Sequence, residues 1–174
     1  MIWPVDYVHD KGEPASLELL GSPQVLGVAQ SLCGPNFVST YESIVFKFEG
    51  DGEKIPWHQD AVDPRNWRIF NFDLYLDESR VGGGALKVIL GSQGVAADVC
   101  EHRDRHGWEA PGAVDVEMQL GDVLLHDVMV VHGSECAQGR GNCAVLSTTS
   151  SGPPRRPWPK APGTGLSAGC ACCR

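Results

Sequence analysis

The chain has 174 residues, 42% hydrophobic and 21% charged, an ordinary globular balance that supports one cored domain rather than two. With 14 Lys+Arg against 22 Asp+Glu the formal charge is −8, a field that repels phosphate backbones and anionic lipid and argues against nucleic-acid and membrane-surface partners. The 21 Gly and 12 Pro favour many short elements joined by tight turns and exclude a long helical bundle.

Residues 1–10 carry neither the basic n-region nor the apolar segment of a secretory signal. No apolar run approaches the roughly 18 to 20 residues that span a bilayer, and the most apolar stretch, 123–131, is interrupted by His126 and Asp127. A cytoplasmic, reducing location is expected, consistent with an odd count of 7 cysteines of which Cys33, Cys100, Cys136 and Cys143 are widely scattered. Pro23 suits the first turn of a helix predicted over 24–33, which Gly34 and Pro35 then stop. From there the texture is that of strands, predicted at 42–48, 69–76, 85–90, 114–120, 123–131 and 144–149, each β-branched or aromatic-rich and set off by Gly, Pro and Asp clusters. That succession indicates a mainly β sandwich or jelly roll over 1–151. Residues 152–174 hold five Pro, four Gly, four basic residues and no acid, and are expected to be a disordered tail.

The segment Pro56-Trp57-His58-Gln59-Asp60 is the most informative. On an extended chain, residues two apart point to the same side at a rise of ~3.3 Å each. The His58 imidazole and the Asp60 carboxylate then converge on one ion while Gln59 faces away. His132 ends the apolar strand 123–131, just before Gly133 and Ser134, and can complete a set of two His and one carboxylate. That facial set leaves metal positions open and is the arrangement of non-haem Fe(II) oxygenases. An isolated H-x-D arises readily by chance in a chain with six His; its placement after a strand and a Gly-rich turn, with a strand-end His about 70 residues on, gives it weight.

Three ordered segments, VFKFEGDGEKIPWHQD (45–60), FDLYLDESRVGGGALKVILGS (72–92) and GDVLLHDVMVVHGS (121–134), resemble the phytanoyl-CoA dioxygenase-like branch of the Fe(II)/2-oxoglutarate-dependent oxygenases. The resemblance covers roughly 17–150. It implies a double-stranded β-helix, cupin-like, with a short N-terminal helix, binding Fe(II) through His58, Asp60 and His132. It further implies 2-oxoglutarate as cosubstrate, oxidised to succinate while a small organic molecule or acyl conjugate is hydroxylated with O2. Some relatives halogenate after replacing the acidic ligand by a small residue; Asp60 points to hydroxylation or a related oxidation.

The chain departs from this pattern at two places. Relatives place an arginine about 9 to 11 residues after the distal His to pair with the far carboxylate of 2-oxoglutarate. Here those positions are Gly141, Asn142 and Cys143, and the nearest arginine is Arg140. Either Arg140 serves through a shortened turn, or Cys143 stands in the arginine's place. Ser134 is a further candidate donor to that carboxylate, and Phe72 a candidate packing surface for the cosubstrate. Relatives also carry several tens of residues before the segment matching Leu17, so part of the usual N-terminal buttress is expected to be missing, and both chain ends weaken the enzymatic reading without touching the fold.

Other candidates are weaker. Residues 101–106 (EHRDRH) place two His at i, i+4 without an H-E-x-x-H pattern and alternate in charge like a solvated loop. His126 is expected to be a structural histidine or a pocket lining. Cys170 and Cys173 form one C-x-x-C with no second pair, short of a zinc site. Gly82-Gly83-Gly84 lacks a following Lys-Ser/Thr and is expected to be a turn, and no G-x-S-x-G elbow is present. Asn66, Trp67 and Arg68 are candidates for a lid. The alternatives from other classes are a non-catalytic metal-binding barrel and a metal-dependent cupin that does not use 2-oxoglutarate.

Overall fold

The computed structural model describes residues 2–48, 50, 54–60, 68–94, 96–136 and 143–152. Among the described residues, nine strands form two antiparallel sheets. The larger runs β1 (Ile2–Asp6), β2 (Val38–Lys47), β9 (Cys143–Gly152), β4 (Arg68–Tyr75), β7 (Val123–Asp127); the smaller runs β3 (Ile55–His58), β8 (His132–Ser134), β5 (Leu86–Ile89), β6 (Ala113–Val116). Neighbours distant in sequence alternate in both sheets, the signature of a jelly roll, and the expected fold class is the one observed.

The local reasons are legible. Helix α2 (Pro23–Cys33) begins at Ser22, whose hydroxyl accepts from Val25 N, and ends at Gly34, so the predicted 24–33 helix is present with a side-chain cap. Two elements differ from the sequence reading. The run 123–131 is split, because Val128 to Val130 turn the chain between β7 and β8. Residues 101–106, read as a loop, lie in α3 (Val99–His106), where Asp98 accepts from Glu101 N at 2.9 Å and Arg103, Arg105 and His106 occupy the negative end. Residues before 21 form β1, a 3-10 turn at Val8–Lys11 and α1 (Ala15–Leu20), elements the sequence reading did not place. The Gly82–Gly84 segment is a turn, closed by Gly83 N donating to Arg80 O.

Period-2 alternation assigns the faces of the large sheet. On β4, Asn71, Asp73 and Tyr75 are buried, and Asn71 stands opposite His126 of β7. These residues face the small sheet. Phe70 and Phe72 face the other way and meet Val25, Val28, Ala29 and Leu32 of α2, together with Leu125 and Thr148. The outer face of the small sheet packs a second core of Trp57, Ile89, Ala110 and Val131, with Trp108 and Val99 closing over it from α3 and the loop that follows. Gly133 sits in this layer because a Cβ there would lie 2.9 Å from Ile55 O, 3.0 Å from the Trp108 ring and 3.1 Å from Trp57 N. Cys33 is a thiol, donating to Ser150 O at 3.5 Å. No helix among the described residues is long and apolar enough to cross a membrane.

Candidate metal centre

The interior between the sheets is unusually polar: Lys47, Asn71, Asp73, His126, His132 and Ser134 are all buried. Buried polar groups persist only when they are paired or held for a ligand, so the partners identify the site.

Registry brings His58 of β3 opposite His132 of β8, with ring centroids 4.1 Å apart. Asp60, just past β3, is tied back by its N–H to Val128 O at 3.0 Å. Its Oδ1 lies 3.4 Å from His58 Nε2 and 3.6 Å from His132 Nε2. One ligand atom from each of the three residues falls within 4.8 Å of the other two. The remaining atoms of the trio are committed elsewhere. His58 Nδ1 lies 2.9 Å from Pro56 O and His132 Nδ1 2.8 Å from Val130 O; carbonyls only accept, so both rings carry their proton on Nδ1 and turn the Nε2 lone pair inward. Asn71 Nδ2 donates to Asp60 Oδ2 at 2.7 Å, leaving Oδ1 for an ion. This donor set fits a divalent transition metal, and its chemistry is that of the facial His-carboxylate-His sites.

The electrostatics agree. Burial, reinforced by the charge of His58, holds His132 down to about 4, so this ring is neutral across the physiological range and its Nε2 lone pair can bind an ion. Burial lowers His58 as well, but the Asp60 carboxylate and the Pro56 carbonyl favour its protonated form and leave the ring above its ordinary value. Burial likewise acts to raise Asp60, and the His58 hydrogen bond and the nearby imidazoles more than reverse it, keeping the carboxylate ionised. His58 and Asp60 are each about a third exposed and His132 only 9%, so the centre is open on one side and walled on the other.

The other candidates fall as follows. Gln59 points away from the trio, donating to Met129 O and accepting from Ala97 N at 2.8 Å. His126 is buried, 5.0 Å ring to ring from His132, with Nε2 3.0 Å from Asp73 Oδ2; Asp73 Oδ1 is buried without a hydrogen-bond partner among the described residues. Sequence reasoning missed Asn71 and Asp73, whose signal was the polar alternation inside an aromatic strand. Ser134 is buried, accepting from Lys47 Nζ and donating to Gly84 O at 2.6 Å. Phe72 alternates along β4 with Asn71 and Asp73 and lines a cavity with Val25, Val28, Ala29 and Leu32 of α2. Arg140, Asn66, Trp67, Cys170 and Cys173 lie outside the described residues, as does the tail over 153–174. The His102 and His106 rings lie 6.0 Å apart on α3, tilted to each other, and the metal-competent group among the described residues is the His58, Asp60, His132 trio.

With that geometry in place, comparison with known proteins is decisive for ancestry. A family model described as phytanoyl-CoA dioxygenase (PhyH) matches residues 5–140. The chain belongs to the phytanoyl-CoA dioxygenase family. Solved structures similar to this PhyH chain include EvdMO1, at 26% identity and a TM-score of 0.74, covering 87% of this chain and 36% of that one. AviO1 from Streptomyces viridochromogenes is similar at 24% identity and 0.70, over 91% and 70% of the two chains. HygX from Streptomyces hygroscopicus, solved with nickel and 2-oxoglutarate bound, is similar at 13% and 0.71, over 88% and 70%. The PhyH chain thus spans about a third of EvdMO1 and somewhat over two thirds of the others. A search of the curated proteins returned no match.

Proposed function

We propose that this chain is an Fe(II)- and 2-oxoglutarate-dependent dioxygenase that hydroxylates, or otherwise oxidises, a small organic molecule or acyl conjugate with O2. The observation that carries the reading is the convergence of His58 Nε2, His132 Nε2 and Asp60 Oδ1 on one point, each oriented by a hydrogen bond at its far atom. Family membership supports it, as does the similarity to HygX, whose structure holds nickel and 2-oxoglutarate.

His58, Asp60 and His132 would hold the iron, which supplies the coupling of 2-oxoglutarate decarboxylation to substrate oxidation. The protein's own part is positional. Three ligands on one face keep the opposite positions available to cosubstrate and O2. Asn71 fixes the carboxylate so that one oxygen faces the ion, and the two backbone carbonyls fix the imidazole tautomers. The buried wall at His132 and Val88 excludes water on that side, while the exposed side at His58 and Asp60 admits substrate. Asp73 Oδ1 offers a buried acceptor to a ligand hydroxyl or amine. Ser134, two residues beyond His132 on the same strand, would face the far end of the cosubstrate.

An anaerobic titration with Fe(II) and then 2-oxoglutarate tests the reading. A weak visible charge-transfer band, followed by succinate on admission of air, is the expected result. Iron binding without a band or succinate overturns the reading in favour of a metal-binding barrel that does not use 2-oxoglutarate.

A further inference from the structure

We propose that Tyr7, Tyr41 and Asp6 form a recognition corner beside the open side of the metal centre, and that it holds an ammonium group of a small-molecule substrate. The proposal names a substrate class for the dioxygenase reading of the preceding subsection and rests on that reading.

The sheet registers place the corner. Tyr41 of β2 stands opposite Thr149 of β9, which stands opposite Asn71 of β4. Asp6 of β1 is joined in the same way, through Ser43 and Ser147, to Asp73. Directly opposed positions share a face of the sheet, so Tyr41 and Asp6 lie on the face that carries Asn71 and Asp73. Tyr41 is two strands from Asn71, a Cα separation of about 10 Å, and Asn71 holds Asp60. A small molecule seated at Tyr41 can therefore extend to the His58, Asp60, His132 trio.

The chemistry of the corner is that of cation binding. The Tyr7 and Tyr41 rings meet edge to face, with centroids 5.6 Å and planes 83° apart, yet remain 45% and 37% exposed. The Tyr41 hydroxyl donates to Asp6 Oδ1, which fixes the ring and sets a carboxylate at its rim. An ammonium is drawn to an aromatic face by the ring quadrupole, and the carboxylate adds a full opposite charge. Neighbouring acids already have a histidine, Asp10 and Glu42 sharing His9 and Asp73 facing His126. The partner of Asp6 among the described residues is the neutral Tyr41, so its charge is left for a ligand. The backbone is strained to build this place. Tyr7 has φ 50 and ψ 62 and is the one non-glycine residue of positive φ among the described residues; a bulky side chain adopts that conformation at a cost, and such strain collects where a side chain is presented to a ligand.

The test compares choline with 3,3-dimethyl-1-butanol, its uncharged carbon isostere, on protein carrying isotope-labelled tyrosine. The chain has 3 Tyr, and Tyr75, 3% exposed, is the internal control. Choline is expected to shift the Tyr7 and Tyr41 ring signals and leave Tyr75 in place, and the isostere to bind at least about fivefold more weakly. Mn(II) bound at the trio should broaden the methyl protons of bound choline, as Zn(II) does not. Asp6→Asn is expected to narrow the choline-to-isostere ratio, and Tyr41→Leu to abolish binding of both, with Mn(II) affinity unchanged; Tyr7→Leu serves if Tyr41→Leu folds poorly. Aromatic rings that merely pin the N-terminal segment would give variants of lower melting temperature from a wild type whose rings choline does not move. Equal affinity for the two probes, unmoved Tyr7 and Tyr41 signals, or bound choline that Mn(II) leaves sharp each overturns the proposal. Choline binding and broadening intact, with no succinate formed from 2-oxoglutarate, overturns the dioxygenase reading instead.

Discussion

Asn71 donates a 2.7 Å hydrogen bond to Asp60 Oδ2, a contact between the large sheet and the segment after β3 that decides which carboxylate oxygen is left for a metal. Outer hydrogen bonds of this kind orient the ligand and typically carry about 10- to 100-fold of metal affinity. Asn71→Ala is therefore expected to weaken Fe(II) or Mn(II) binding by about that factor. Competition against a chelating dye measures it, and wild-type affinity in the variant would show that Asp60 is oriented without Asn71.

Metal binding should be lost as pH falls, in a particular order. Ligation needs neutral imidazoles. His58 sits above its ordinary value, so its proton competes with the ion first, whereas His132, held down to about 4, stays neutral. Mn(II) affinity is expected to decline with a slope of about one proton between about pH 8 and about pH 5. A flat profile would contradict ligation by His58, and a two-proton slope would contradict the depressed His132.

The His126–Asp73 pair makes a pH-dependent contribution to stability. Burial pulls His126 down, but the hydrogen bond and charge of Asp73 raise it above its ordinary value. A raised folded-state value means that the contribution is complete below the unfolded histidine range and is lost as pH rises through the folded value. Asp73→Asn should therefore lower the melting temperature of metal-free protein most below about pH 6, by the equivalent of roughly 1 to 3 kcal/mol. The gap to wild type should narrow in alkali. An equal gap at both ends of the range would mean that the pair is not charge-assisted.

Gly133 joins the metal centre to the outer core. A methyl group there meets Ile55 O, Trp57 N and the Trp108 ring, two of which are backbone atoms with no rotamer to yield. Gly133→Ala is expected to cost about 1 to 3 kcal/mol by overpacking and to weaken metal binding by displacing His132. Chemical denaturation and the same metal titration check both parts; a stable variant with intact affinity would show that β3 and the loop after α3 move apart freely.

The candidate donor residues and the architecture were legible in the sequence because each rests on a local rule. His58 and Asp60 share a side through two-residue alternation, and the strands announce themselves by β-branched runs between turn residues. Helix α2 carries its own cap and stop at Ser22 and Gly34. Helix α3 was missed because its apolar residues are too few to show a period, and its formation rests on the Asp98 cap and on packing of Val99 and Trp108 over Trp57 and Val131.

What the sequence by itself determined is the donor chemistry: which side chains can bind an ion, and at what spacing along their own strands. Tertiary structure decided the rest, because pairing across strands has no trace in local spacing. The β3–β8 register sets His58 against His132, although 74 positions separate them in the numbering. The β4–β7 register sets Asn71 against His126, beside the site. The β2–β9 register puts Lys47 opposite Cys143, and only the fold of the two sheets onto each other carries its ammonium to Ser134. A one-residue slip in any of these ladders would turn every one of those side chains to the opposite face, which is why the site belongs to the register and the ligands to the sequence.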